Sequence, residues 1–68
     1  MKIKLKEIRE ERKITQEKLA SLVGVTRQTI INIEKGKYKP TVLLALKISR
    51  VLNCRVEDLF ILEEGDMR

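Results

Sequence analysis

Residues 16–37 read QEKLASLVGVTRQTIINIEKGK, and their spacing decides the fold. Thr15, just before them, is a good N-cap. Gln16 and Glu17 then make a first turn in which the Glu17 carboxylate suits the positive end of the helix dipole. Leu19, Ala20 and Val23 share one face, so the spacing predicts a helix over Gln16–Val23. Gly24 follows, where a helix stops in a left-handed conformation that meets no Cβ penalty in glycine. Thr26 caps another helix, Arg27 to about Lys35, whose inner stripe is Ile30 and Ile33; Gly36 ends it. Helices shorter than about 12 residues are marginal in water, so these two must brace each other. Ala20 is small where the second helix must come close, Val25 plugs the gap, and Ile30 and Ile33 pack back on the first. The geometry is that of two helices crossing steeply through a short turn.

Outward from this stretch the signals stay helical. Leu5 and Ile8 set an apolar stripe with Ile14 just beyond, while Lys6, Glu7, Glu10 and Glu11 face water, which predicts a helix from about Lys4 to Arg12. The opening MKIKL alternates, but the pattern lapses by Lys6, and no strand is expected. Pro40 and Thr41 open a fourth helix, Val42 to Leu52, with Val42, Ala45, Ile48, Ser49 and Leu52 inward and Asn53 as its stop. A short fifth helix, about Val56 to Phe60, adds Val56, Leu59 and Phe60 to the core. The expected fold is a compact all-α domain of five short helices. It spans residues 1–68 as one unit, with its two-helix core at 15–36 and a short C-terminal tail at 61–68.

Composition narrows the chemistry. A chain of 68 residues supports one modest core. It has no His and a single cysteine, Cys54, so a zinc finger, an internal disulfide and a Ser-His or Cys-His nucleophile are excluded. Three glycines, at 24, 36 and 65, leave no phosphate-cradling loop. The acids at Glu63, Glu64 and Asp66 read as a solvated tail and not a cleft, so no enzyme and no cofactor is expected. The longest apolar run, Val42 to Leu46, cannot span a membrane, and the N-terminus lacks the apolar segment of a signal peptide. A cytoplasmic, nucleoid-associated location is the expectation. The net charge of +5 is unevenly placed. Residues 1–39 carry 11 basic and 5 acidic side chains, whereas residues 40–68 carry 4 and 5. Such asymmetry suggests a surface for a polyanion. With only Tyr38 and Phe60 as aromatics, stacking on single strands is disfavoured and duplex is the better partner.

The helix beginning at Arg27 carries the clearest signal. Arg27 sits in the first turn, where a cation opposes the helix dipole by ~0.3–1 kcal/mol. Asn32 is a poor mid-helix residue, and Ile31 is expected to point away from Ile30 and Ile33 toward solvent. Choices that cost stability locally mark function. Arg27 can grip guanine bidentately, Gln28 and Asn32 can each grip adenine, and Ile31 can touch a thymine methyl. The N-terminus of the Gln16 helix is a ready anion site.

TQEKLA, the Gly24-Val25 turn, IEKGKYKP and VEDLF taken together resemble the lambda repressor and Cro family of helix-turn-helix proteins, also called the XRE family, over roughly residues 3–60. The resemblance implies that the Arg27 helix lies in the major groove with its N-terminal residues on base edges. It implies phosphate contacts from Gln16 and from Lys35, Lys37 and Lys39, with Lys13 at the end of the first helix as a weaker candidate. It further implies an ion pair between Arg9 and Glu34 that ties the first and third helices together near the DNA backbone. One departure is Arg55, which stands where the family usually has a Ser or Thr cap; that cap is then absent or supplied by Cys54.

Apolar side chains left exposed outside the Arg27 helix are expected only near the C-terminal end, at Leu43, Leu46, Ile61 and Leu62. They form either a dimer surface or tail packing on the same core. The functional expectation is a sequence-specific regulator that binds double-stranded DNA as a homodimer and acts as a repressor, its control coming from concentration or from an unidentified regulatory protein partner. The competing class is a protein-interaction module, such as an antitoxin-like subunit acting through that apolar end.

Overall fold

In the computed structural model, which describes all 68 residues, three threonine hydroxyls set the starts of the three central helices. Thr15 Oγ1 accepts from Lys18 N at 3.0 Å, Thr26 Oγ1 from Thr29 N at 3.2 Å, and Thr41 Oγ1 from Leu44 N at 3.1 Å. Each satisfies an N–H that the first turn leaves without a helical partner. The elements run β1 (Lys2–Ile3), α1 (Leu5–Glu11), α2 (Gln16–Val23), α3 (Arg27–Glu34), α4 (Val42–Leu52), α5 (Val56–Leu59), β2 (Phe60–Ile61) and a closing 3-10 turn, Glu64–Met67. Five helices are present as expected. Gly24 takes φ +78° and closes α2, its neighbour Val25 donating to Ala20 O at 3.0 Å.

The core gathers one face from each helix. Leu5, Leu19, Ile30, Ile33, Ile48, Leu52 and Leu59 are fully enclosed, and Ala20 and Val23 join them where α2 meets α3 and α4. Cys54 is half-buried against this core; that burial, with Asp58 nearby, pushes its thiol pKa up and keeps the group protonated. No helix is long and apolar enough to cross a membrane.

Several expectations need correction. The alternation in MKIKL is a strand after all: β1 pairs antiparallel with β2, Lys2 opposite Ile61 and Ile3 opposite Phe60. Phe60 therefore leaves the fifth helix, and Ile61 belongs to a strand and not to a tail. The pairing continues one residue on, with Lys4 N donating to Leu59 O at 2.8 Å. The acids beyond it are not merely solvated, since the Met1 amine meets Glu63 at 3.0 Å and Asp66 at 2.8 Å.

Val42 does not face inward but is 78% exposed, and Leu44 takes its place in the core. Lys13 is not on α1, which ends at Glu11; it sits beyond the helix with φ +58°. Neither Cys54 nor Arg55 caps α5 with a side chain. The Asp58 carboxylate instead reaches back and accepts from Arg55 N at 3.0 Å. Finally, exposed apolar residues are not confined to the C-terminal end, because Leu22 on α2 and Tyr38 after α3 are also exposed.

Candidate nucleic-acid interface

The buried stripe of α3, Ile30 and Ile33, turns its opposite face outward, and what lies on that face is polar and basic. Arg27 and Gln28 are exposed in the first turn. Asn32, one turn on, accepts from Gln28 Nε2 at 3.1 Å, so two amides capable of reading a base edge are held side by side. Ile31 is half-buried, not turned fully to solvent, and Asn32 likewise. Past the helix, the Asn32 carbonyl accepts from Lys37 N at 2.8 Å and Tyr38 N at 3.2 Å. Those bonds fold the 35–39 segment back against α3, leaving Lys35, Lys37 and Lys39 exposed around its end. A notch lined by Val25, Thr29, Asn32, Lys37 and Tyr38 lies between them.

At the other end of the face the start of α2 opens into a wholly polar hollow lined by Arg9, Thr15, Gln16, Glu17 and Arg27. The positive end of the α2 dipole and the exposed Arg27 guanidinium meet there, with the Glu17 carboxylate on the same lining and Arg9 already paired with Glu34. Lys13 is exposed two residues before the Thr15 cap and is not among the residues lining the hollow.

Under this hollow lies an ion pair. Arg9 Nε donates to Glu34 Oε2 at 2.7 Å, with side-chain exposures of only 8% and 5%. Arg9 Nη2 also donates to Glu34 Oε1 at 3.4 Å, and a third guanidinium bond, Arg9 Nη1 to Ile14 O at 2.9 Å, fixes the loop that leads into α2. Glu34 Oε1 also accepts from Gln16 Nε2 at 2.9 Å, and Gln16 Oε1 faces Arg27 Nη2 at 3.5 Å. Sequence reasoning missed this chain from Glu34 through Gln16 to Arg27. The members are 18 and 11 residues apart in sequence, and no periodicity links them.

The helix-turn-helix family model matches residues 5–59, from the first residue of α1 to the last of α5. The chain belongs to the XRE-type helix-turn-helix family. Its members are DNA-binding transcriptional regulators, and this chain is one of them. Among its relatives is an HTH-type transcriptional regulator of Archaeoglobus fulgidus, 49% identical over 67 residues, covering 98% of this chain and 94% of that one. The HTH-type transcriptional regulator YgzD of Bacillus subtilis is 55% identical over 64 residues, covering 94% and 97%.

Among solved structures, the restriction-modification controller protein C.AhdI of Aeromonas hydrophila superposes with a TM-score of 0.77 at 30% identity, over 84% of this chain and 86% of that one. The clp gene regulator ClgR of Corynebacterium glutamicum gives 0.76 at 22% identity, over 79% of this chain and 57% of that one, a likeness of fold alone.

Proposed function

We propose that this chain is a sequence-specific repressor that binds double-stranded DNA as a homodimer, each copy placing α3 in the major groove. The observation that carries the reading is the division of the α3 surface. Side chains able to pair with base edges, Arg27, Gln28 and Asn32, lie between a basic segment at one end and a polar, guanidinium-lined hollow at the other. In this reading Arg27 grips a guanine, Gln28 and Asn32 an adenine, and Ile31 touches a thymine methyl. Gln16, Lys35, Lys37 and Lys39, with Lys13 more weakly, hold phosphates and set the register. Repression needs no further surface, because a bound dimer occludes the site it occupies.

Pairing follows from information content. A helix of eight residues reads about four or five base pairs, and helix-turn-helix proteins extend this with half-sites about 34–36 Å apart. The apolar surface of α4, where Leu43 is 63% and Leu46 53% exposed, supplies a contact face, and Ile61 in β2 and Leu62 just after it are further exposed apolar residues. It borders a groove lined by Val42, Ala45, Leu46, Val56 and Phe60 whose rim carries both Lys39 and Glu57. A two-fold axis can set the acid of one copy against the base of the other, which favours a second copy as occupant. The same patch supports the second reading, a module that holds a different protein.

Selection of bound sequences from a random duplex pool, followed by sedimentation with and without the selected duplex, tests the proposal. Two protomers per duplex are expected, and Leu43→Lys/Leu62→Lys should reduce this to one with weaker binding. No enrichment of any sequence, or one protomer per duplex at saturation with that double variant binding as well as the native chain, overturns it.

A further inference from the structure

We propose that Glu34 is a positioning residue for DNA reading: it holds the Gln16 amide one way round, and that amide aims the Arg27 guanidinium. The inference rests on the reading of Arg27 as a base contact.

A carboxylate can only accept hydrogen bonds, whereas an amide has one accepting and one donating end. Since Glu34 Oε1 lies 2.9 Å from the Gln16 side chain, the amide nitrogen must face it and Oε1 must face away. Arg27 stands on that far side, with Nη2 at 3.5 Å from Gln16 Oε1. Were the amide free, it could turn and set its N–H groups against those of the guanidinium, donor against donor. Glu34 closes that alternative, and burial of its carboxylate, 5% exposed, keeps water from substituting for it.

The contact at 3.5 Å is long, so it biases Arg27 without holding it back from a base. Bias is what matters for this side chain. Arginine has many rotamers, and bidentate pairing with guanine needs the fork in one plane and one direction. Narrowing its range therefore raises discrimination between base pairs more than bare affinity. Gln16 keeps its second amide N–H for the DNA backbone, and Arg9, paired with Glu34 at 2.7 Å, cancels the acid's charge where phosphates approach. Arg9 and Glu34 thus do more than join two helices: together they make a carboxylate tolerable at a polyanion's surface.

The test measures the affinities of the full chain for its selected duplex, for single-base-pair variants of it, and for random duplex. Arg27→Ala should lower discrimination at one base pair by about tenfold or more. Gln16→Met and Glu34→Gln should each lower it at that same base pair by about three- to fivefold, a fraction of the full contact. The double variant should be no worse than either single one, since the two act in series. Binding of Glu34→Gln to random duplex should hold or rise, because a negative charge is lost, whereas a merely structural lesion would lower both.

If Arg27→Ala leaves discrimination unchanged, the base-reading assignment fails and this proposal with it. If Arg27→Ala acts while Gln16→Met and Glu34→Gln do not, the positioning role alone is overturned. Should Glu34→Gln not fold, Gln16→Met leaves the ion pair intact and still decides for the amide. Proton exchange in the native chain then decides for Glu34: a Gln16 side-chain N–H protected in the absence of DNA supports it, and an unprotected one refutes it.

Discussion

Replacing Arg9 by Met keeps the length of the side chain and removes three hydrogen bonds, two to Glu34 at 2.7 and 3.4 Å and one to the Ile14 carbonyl at 2.9 Å. What remains is a carboxylate with 5% of its surface exposed and only the Gln16 amide to solvate it. Breaking a buried pair by removing one partner costs about 3–5 kcal/mol, because the other charge is stranded. The orphaned Ile14 carbonyl adds about 1 kcal/mol. A domain of this size has roughly 3–10 kcal/mol of stability in all, so Arg9→Met should either leave it marginal or unfold it. At about 4 °C or more per kcal/mol for a small domain, the melting temperature should drop by at least about 12 °C.

Arg9→Met/Glu34→Met should be far less damaging than either single change, since a matched apolar pair has no charge to strand. Circular dichroism melts and urea titrations at pH 7 measure both. A melting temperature for Arg9→Met within about 3 °C of the native value, or a double variant no better than the single ones, would refute the reasoning.

Arg27→Ala and Gln28→Ala should leave the melt unchanged while weakening specific binding by ~1–3 kcal/mol each, in a duplex titration against single-base-pair variants. A uniform loss on every duplex would remove them from the bases. Lys37→Ala and Lys39→Ala should weaken binding to all duplexes alike and lower the salt slope by roughly 1, read from affinity against log salt concentration; an unaltered slope would separate them from phosphates. Gly24→Val should cost about 1–2 kcal/mol, seen as a fall of several degrees in melting temperature. That cost comes from φ +78° alone, because a Cβ there would meet nothing within 4 Å, and an unchanged melt would contradict the left-handed turn.

The helices were legible because their ends are chemically marked. Thr15, Thr26 and Thr41 each cap with their own hydroxyl, and Gly24 and Asn53 each stop a helix in the left-handed region, which glycine tolerates for want of a Cβ and asparagine by its short polar side chain. Periodicity erred at Val42 for a geometric reason. The buried stripe of α4 centres on Leu44, Ala45, Ile48, Ser49 and Leu52, and Val42 falls about a quarter turn off it in the first turn. The β1–β2 pair was invisible because two-residue strands have no period to detect and their partners lie at opposite ends of the chain. At the DNA-facing surface, single residue types such as Arg27 and Gln28 could be read from chemistry and spacing. The Glu34–Gln16–Arg27 chain could not, because it exists only once α2 and α3 have been brought together.

The pairing of Lys2 with Ile61 makes the chain nearly a ring. Joining segments so far apart from an unstructured chain would require closing almost the whole polypeptide into one loop, whose entropic cost grows with loop length. The helices between them face no such demand, since their contacts are mostly local, so the clasp should zip last and open first. Amide exchange at Ile3, Lys4 and Ile61 would then run ahead of the helical core, through a state in which both ends are loose and α1 to α4 stay packed. It also makes the ends neighbours in space, the condition under which a protein tolerates circular permutation. A short linker from Arg68 to Met1, with a new opening in the exposed turn at Gly36–Lys37, would keep every helix intact while cutting the chain beside the segment assigned to phosphates. Such a molecule separates what holds the fold from what holds DNA.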